Sequence, residues 1–253
     1  LAGARINPKT NGPHSPAPIL GITFKRVADG VETKVALPPN VRISAPGFSP
    51  DGKWLSFMVN RSNRVELWIA DTASAKAKAV TAATINALDG CSWLQDSSAM
   101  LCHFVVTGRG PAPAPPKVPT GPRIQENIGR AAPAPTFQDL LTSAHDEALF
   151  EHYFTSQLAT VTPAGARTPI GRPAIFAAAT MSPDGQFVLV ARIKRPFSRL
   201  VTMFGFPKDV EVWNRAGEVA RRIGEEPLAE GVPIGGVNTG PRSYRWNPTE
   251  PAT

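Results

Sequence analysis

One short turn sequence occurs twice in this chain and constrains what the chain can fold into. Residues 47–57 read GFSPDGKWLSF, and residues 180–190 read TMSPDGQFVLV. In both copies the Pro presets φ, the Asp can hold a local hydrogen bond, and the Gly takes the positive φ that strains other residues. Apolar residues typical of strands stand on either side. Each copy therefore predicts a tight corner between two antiparallel strands.

The strands around these corners repeat in the same order. After the first corner we predict strands at residues 54–59, 65–70 and 77–80, and after the second at 187–193, 210–213 and 219–223. A degenerate corner, QDSS at 95–98, aligns Asp96 with Asp51 at a spacing of 96 − 51 = 45 residues. Such a period is typical of a propeller blade. We predict an all-β fold, a partial β-propeller of about three to four four-stranded blades with a short helical insertion.

The blades divide the chain unevenly. We predict that residues 1–40 are first strands leading into the propeller and that residues 41–253 form its blades, with a Pro-rich and helical insertion at 107–154. Prolines between 111 and 116 exclude that stretch from a sheet, whereas capping patterns at 136–139 and 143–146 predict two short helices before a strand at 155–161. A fourth blade is predicted to start at 241–248. Because a propeller must close its ring, we expect the chain to be a fragment.

The two cysteines have informative positions. Cys91 and Cys102 are symmetric about Asp96 and Ser97. If those two residues form a hairpin turn, the thiols face each other across neighbouring strands, close enough to form a disulfide. Two buried free thiols are the alternative, because the compartment decides oxidation and both the bacterial periplasm and the cytoplasm remain open.

Charge and composition exclude several classes of partner. The formal net charge is +7, but the basic residues are scattered and are not interleaved with aromatic residues that would stack on bases. We therefore predict no nucleic-acid partner and expect the charge to favour acidic peptides. No apolar run approaches the roughly 20 residues of a membrane span, so we predict no membrane partner.

Sequence motifs along the chain resemble one peptidase family. The residues that carry the resemblance are 5–8 (RINP), 118–126 (VPTGPRIQE), 136–141 (TFQDLL), 145–158 (HDEALFEHYFTSQL), 195–198 (RPFS) and 240–243 (GPRS). Together they are similar to the glutamyl endopeptidase branch of the prolyl oligopeptidase family. The resemblance spans most of the chain.

The resemblance implies a serine peptidase in two parts. In this family an N-terminal propeller covers the mouth of a C-terminal α/β-hydrolase domain that carries the Ser/Asp/His triad, and this branch cleaves after glutamate. The chain contains no Gly-x-Ser-x-Gly nucleophile elbow. We therefore expect its partners to be acidic peptide substrates and an α/β-hydrolase domain on the same protein. No catalytic residue is predicted here, and the chain alone is expected to be inactive.

Arginine is the residue best suited to bind a glutamate side chain, because its planar fork donates two parallel hydrogen bonds to one carboxylate. We predict that Arg195, Arg242 and Arg5, with His14, contribute to substrate binding. Each of these arginines could instead pair with an acidic residue between blades. The histidines lack the spacing of a metal site, and no phosphate-binding Gly-rich loop occurs, so we predict no metal and no cofactor.

A second function remains open at this stage. A free-standing β-propeller that binds proteins or peptides without catalysis would contain the same blades. A hydrolase region with a nucleophile elbow would distinguish the peptidase from this binding module.

Overall fold

The computed structural model describes residues 1–15, 19–86, 90–118, 121, 137–233 and 236–250. Strands dominate these residues and form successive antiparallel sheets. The predicted all-β class and partial propeller are confirmed. In the part of the chain so described, no helix has the length and apolar character needed to cross a bilayer.

Two short hairpins precede the blades. The first joins β1 (Ile6–Asn7) to β2 (Gly12–Pro13), and the second joins β3 (Thr23–Lys25) to β4 (Glu32–Lys34). Ile22 and Phe24 of the second hairpin pack against the apolar face of the first blade. This hairpin therefore covers one face of that blade.

Blade 1 is a meander of four antiparallel strands. Its strands are β5 (Ile43–Phe48), β6 (Trp54–Asn60), β7 (Val65–Asp71) and β8 (Ala77–Ala79). Strands β6 and β7 are buried along almost their whole length, because hairpin β3–β4 covers one face of the sheet and blade 2 covers the other. The strands predicted around the first corner are confirmed.

Blades 2 and 3 share one long strand. The remaining elements are β9 (Cys91–Trp93), β10 (Met100–Val105), α1 (Ala144–Phe154), β11 (Thr155–Val161), β12 (Arg167–Met181), β13 (Phe187–Ile193), β14 (Lys208–Asn214) and β15 (Val219–Glu226). Residues 167–175 of β12 pair with β11 as the outermost strand of blade 2. Residues 176–181 pair with β13 as the innermost strand of blade 3. Strands β9 to β15 therefore form one continuous sheet.

The repeated corner has the same hydrogen bonds in blades 1 and 3. In blade 1 the Ser49 hydroxyl donates to Asp51 Oδ1 (2.7 Å) and accepts the Trp54 N–H (3.0 Å). In blade 3 the Ser182 hydroxyl makes the equivalent bonds to Asp184 (2.6 Å) and to the N–H of residue 187 (2.9 Å). The bond from Ser49 holds the pKa of Asp51 at about 2, because it favours the carboxylate. Each corner is thus closed by side chains as well as by the backbone.

The degenerate corner of blade 2 keeps the turn without the same side chains. Ser97 stands where the other corners have Gly and adopts φ 62°. The Asp96 carboxylate accepts the Ser98 N–H at 3.0 Å, as Asp51 accepts the Lys53 N–H at 3.1 Å. The predicted alignment of Asp96 with Asp51 is confirmed.

Two tryptophans make equivalent hydrogen bonds to a preceding blade, Trp93 at the end of β9 and Trp246 in the segment after β15. Trp93 Nε1 donates to the Ser56 hydroxyl (2.9 Å) and to the Gly47 carbonyl (3.3 Å) in blade 1. Trp246 Nε1 donates to the Thr180 carbonyl (3.0 Å) in blade 3. Gly47 and Thr180 each stand two residues before a corner serine. Trp246 therefore makes the contact with blade 3 that Trp93 makes with blade 1.

Two features of the prediction differ from the structure. Residues 236–250 contain no strand, so the described residues show no strand where a fourth blade was predicted to start. The described residues contain one α-helix, α1, and not two. Thr136 of the first predicted helix lies outside the described residues. Asp139 adopts φ 57° and its carbonyl accepts the Gly3 N–H (3.0 Å), which is incompatible with a helix.

Helix α1 begins at a capping residue that the sequence indicated. The Ser143 hydroxyl accepts the Asp146 N–H at 3.1 Å. Asp146 lies in the first turn, where its negative charge interacts favourably with the positive end of the helix dipole. On the inner face of the helix, Phe150 packs among the rings of Phe154, Phe197 and Phe206 at centroid distances of 4.4–5.5 Å. These contacts hold α1 against the loop that follows β13.

The structure resolves the question of the cysteines. Cys91 and Cys102 form a disulfide between the neighbouring strands β9 and β10, where they are directly opposite each other. The alternative of two free thiols is therefore excluded in this structure. Cys102 packs in the apolar layer between blades 1 and 2.

His103 is a buried titratable group between blades 2 and 3. It is 4% exposed on β10, its Nδ1 lies 3.2 Å from the Ser156 hydroxyl, and its ring meets Phe176 edge-on. Burial lowers its pKa to about 4, because removal from water disfavours the charged imidazolium.

We expect Ser49→Ala and Ser182→Ala each to lower the free energy of unfolding by about 1–2 kcal/mol, since each leaves a half-buried N–H without its partner and removes one hydrogen bond from the corner carboxylate. Urea unfolding measures this change. The exposed Ser15→Ala should change stability by less than about 0.5 kcal/mol. If the corner substitutions have effects as small as that of Ser15→Ala, the hydroxyls do not stabilise the corners.

We expect stability to fall as pH drops from about 6.5 to about 4. In this range His103 is protonated in the unfolded chain but stays neutral in the folded protein. The loss should approach about 3 kcal/mol, and above pH 6.5 this contribution should be constant. His103→Gln, which cannot titrate, should flatten the dependence in urea unfolding between these pH values. An unchanged slope in this variant would assign the effect to other groups.

Candidate functional site

Two of the four predicted binding residues lie on the first hairpin. Arg5 precedes β1 and His14 follows β2, and the His14 N–H donates to the Arg5 carbonyl (3.0 Å). The hairpin turns at Asn11, which adopts φ 54° and donates through Nδ2 to the Tyr153 carbonyl (3.1 Å). This bond fixes the hairpin to the last turn of α1.

Arg5 and His14 line one cleft of about 610 Å³. Its other lining residues are Leu1, Ala4, Ile6, Pro8, Leu149 and Tyr153. The lining is thus mainly apolar and includes one arginine and one histidine. A cleft with this lining can accept a peptide segment whose side chain ends in a carboxylate.

The charge of Arg5 is only partly engaged. Its Nε donates to Asp139 Oδ2 (2.7 Å), and Nη2 lies 3.4 Å from Gln138 Oε1. The Arg5 side chain is 63% exposed. Exposed ion pairs contribute about 0–1 kcal/mol, so another carboxylate can compete with Asp139 at low cost.

Arg195 lies on the other side of α1. Its Nη1 donates to Glu147 Oε2 (2.8 Å) and its Nε donates to Glu151 Oε1 (2.9 Å). The bond to Glu151 raises the pKa of Arg195 most, and the bond to Glu147 raises it further. Glu147 and Glu151 are on the helix face opposite Leu149, as their spacing requires. The structure therefore separates Arg195 from the cleft.

Arg242 lies in the segment that crosses blade 3. It is exposed, and its Nη1 donates to the Asn238 carbonyl (2.6 Å). Neither Arg195 nor Arg242 lines the cleft that contains Arg5 and His14. The structure thus brings two of the four candidate residues together.

Arg109 supports the cleft and was not among the predicted residues. Its Nη1 donates to Asn11 Oδ1 (2.8 Å) and to the His152 carbonyl (2.9 Å), and its guanidinium lies 5.5 Å from the centre of the Tyr153 ring. Burial lowers the pKa of Arg109, and burial followed by the charge of Arg109 lowers the pKa of His152. In the sequence, Arg109 is marked only as a single cation between two glycines. Gly108 and Gly110 both adopt positive φ in the structure.

Metal binding finds no support in the described ranges. Among those residues no three His, Cys, Asp or Glu side chains are grouped closely enough to hold an ion. The lining of the cleft, which combines Arg5 and His14 with apolar side chains, suits recognition by charge and by apolar contact.

Two curated relatives match along the chain. The chain is 37% identical over 270 residues to the probable chloroplastic glutamyl endopeptidase of Oryza sativa subsp. japonica, a match that covers 100% of the chain and 29% of the relative. It is 33% identical over 229 residues to the probable chloroplastic glutamyl endopeptidase of Arabidopsis thaliana, covering 86% of the chain and 24% of the relative. The chain spans less than a third of the length of these relatives.

Two solved structures are similar to the chain at low sequence identity. An acylaminoacyl peptidase from Pyrococcus horikoshii has a TM-score of 0.46 at 18% identity, covering 81% of this chain and 28% of that one. The β-propeller domain of the trilobed protease from Pyrococcus furiosus has a TM-score of 0.47 at 14% identity, covering 81% and 48%. No protein-family model matches the chain.

Proposed function

We propose, from the premise that the chain belongs to the glutamyl endopeptidase branch of the prolyl oligopeptidase family, that it is the propeller portion of a serine peptidase that cleaves peptides after glutamate. The observation that carries this proposal is the 37% identity to the rice relative over the whole chain. The triad would be on an α/β-hydrolase domain of the same protein. This chain would supply recognition and not chemistry.

The blades would restrict access to that domain. Their innermost strands are β5, β9 and the end of β12, and a ring of such strands surrounds a narrow channel. Extended peptides would reach the hydrolase domain through the ring or beside it, whereas folded proteins would be too large to do so. The propeller would therefore act as a gate.

The cleft beside α1 would select acidic peptides. Arg5 is two-thirds exposed and is held by one exposed carboxylate, so its guanidinium is available to a substrate at low cost. His14 adds a second donor at the same cleft. Two donors beside an apolar lining suit a glutamate whose neighbours are apolar.

Arg195 and Arg242 remain weaker candidates for the same role. Two carboxylates of α1 occupy the donors of Arg195, so a substrate would have to displace both of them. Arg242 donates to carbonyls of its own segment. We therefore assign acidic selection to Arg5 and His14 before these two arginines.

In the complete protein, Arg5→Gln should lower kcat/KM for a peptide with glutamate before the cleaved bond by about 10- to 100-fold, because the carboxylate loses a charged partner. The same peptide with glutamine at that position should be cleaved with much smaller loss. Steady-state kinetics on the two peptides measure the difference.

The exposed Arg172→Gln is the matched control, since it removes the same charge from β12, away from the cleft. It should leave the ratio of the two peptides unchanged. Equal losses on both peptides in Arg5→Gln would remove the assignment to Arg5. Absence of hydrolysis by the complete protein would favour a non-catalytic peptide-binding propeller.

A further inference from the structure

Hairpin β3–β4 repeats the outer half of blade 1. In β7–β8 the Asp71 N–H donates to the Lys76 carbonyl and the Ala75 N–H donates back to the Asp71 carbonyl. In the hairpin, the Arg26 N–H donates to the Val31 carbonyl and the Gly30 N–H donates back to the Arg26 carbonyl. Arg26 precedes Asp71 by 71 − 26 = 45 residues, which is the blade period.

The equivalence continues beyond the turn. The Val80 N–H donates to the Leu67 carbonyl at 2.9 Å, and exactly one period earlier the Val35 N–H donates to the Ile22 carbonyl at 2.9 Å. Positive φ occurs at the same turn position in both, at Ala75 (54°) and Gly30 (72°). The corner between β5 and β6 is closed differently, by a bond from the Gly52 N–H to the Ser49 carbonyl. Hairpin β3–β4 therefore corresponds to the two outer strands of a blade.

The hairpin is also placed as a blade beside blade 1. The Ile43 N–H of the innermost strand donates to the Ile19 carbonyl just before β3 (2.9 Å), and the Ala36 N–H just after β4 donates to the Ala75 carbonyl at the outer turn (3.1 Å). The start of the hairpin thus lies toward the channel and its end toward the rim. Strand β3 consequently presents its free edge inward.

The inner two strands of this blade are not supplied by the described residues 1–15. Residues 1–15 form hairpin β1–β2, and Asn11 bonds that hairpin to Tyr153 of α1. Among the described residues, β3 pairs with β4 and with no other strand. Because bonded pairs alternate along an antiparallel ladder, the backbone groups of Thr23 and Lys25 point to the open side.

A cleft of about 600 Å³ with a mixed polar and apolar lining lies beside the same open edge. Its apolar side chains include Phe24, Val31 and Phe48, and Phe48 is 60% exposed. Phe48 stands one period before Trp93, which packs on the inner strands of the blade before it. Phe48 is therefore placed to pack on the two inner strands of the blade formed by β3 and β4. The described residues do not supply those strands.

We propose that β3 is a docking edge for an antiparallel β-hairpin from the same protein's polypeptide outside these 253 residues, which completes a composite blade and closes the propeller on blade 1. This inference rests on the proposed function, in which the chain is part of a longer protein. The curated relatives, of which the chain spans 29% and 24%, contain ample length for such strands. The incoming strand bonds to Thr23 and Lys25, and its apolar side chains cover Phe24 and Phe48.

Two opposed residues give a matched test in the complete protein. Thr23 and Lys34 face each other in a pair whose backbone groups point away from one another, Thr23 to the inner edge and Lys34 to the outer edge. Proline at either position spares the bonds between β3 and β4, but only Thr23→Pro removes a donor from the docking edge.

In hydrogen exchange of the complete protein, we expect the amides of Thr23 and Lys25, which point away from β4, to exchange at least about a hundredfold more slowly than unpaired edge amides. Thr23→Pro should abolish the protection of Lys25 and lower Tm, whereas Lys34→Pro should retain both. Equal effects of the two variants, or fast exchange at Thr23 and Lys25 in the unsubstituted protein, would overturn the proposal.

The same experiment separates this proposal from the proposed function. Slow exchange at residues 241–250 together with cleavage after glutamate, but fast exchange at Thr23 and Lys25, would show further blades in a ring left open at β3. That result would overturn only the docking edge. Protection that depends on protein concentration, with a doubled mass in light scattering, would identify a second copy as the occupant and would also overturn the proposal.

Discussion

Packing of one sheet face on the next is the constraint on which this structure depends. Each blade has two apolar faces, and strands such as β6 and β7 are buried on both of them. The layer between blades 1 and 2 joins Leu67 and Ile69 to Met100 and Phe104, and the layer between blades 2 and 3 joins Leu101 to Val188. A single blade would leave such surfaces in water at a cost of about 25 cal/mol per Å². The blades therefore stabilise each other in series.

The sequence predicted the parts of the fold that local chemistry determines. Ser49, Asp51 and Gly52 close a corner through bonds within six residues, so the corner is readable without its surroundings. The symmetric placement of Cys91 and Cys102 gave the geometry of the bridge but not its oxidation. The first predicted helix was wrong because a contact with Gly3, more than 130 residues away in sequence, fixes the conformation of Asp139. Such distant pairing has no signature in a short window of sequence.

The candidate site shows the same division. Residue type selected Arg5 and His14 as suitable for a carboxylate, but their meeting in one cleft depends on the bond from Asn11 to α1. Arg195 is equally able to bind a carboxylate, but its bonds to Glu147 and Glu151 hold it on the other side of the helix. Arg109 was missed because its role is to fix Asn11 and the end of α1. Sequence reasoning found suitable side chains, and tertiary contacts decided which of them meet.

The sharing of β12 by two blades has a mechanical consequence. Its backbone runs without interruption from the rim of blade 2 to the centre of blade 3, so these blades tilt as one body unless the ladder itself is broken. Blades 1 and 2 are joined instead by side-chain packing and by separate hydrogen bonds, from Trp93 to Ser56, from Asp51 to Ser97 and from Ile85 to Val65. A tilt of blade 1 against blade 2 would break such single bonds, whereas a tilt of blade 2 against blade 3 would have to bend a strand. The cleft beside α1 is attached to the strand-linked pair, because α1 leads into β11 and packs against the loop after β13.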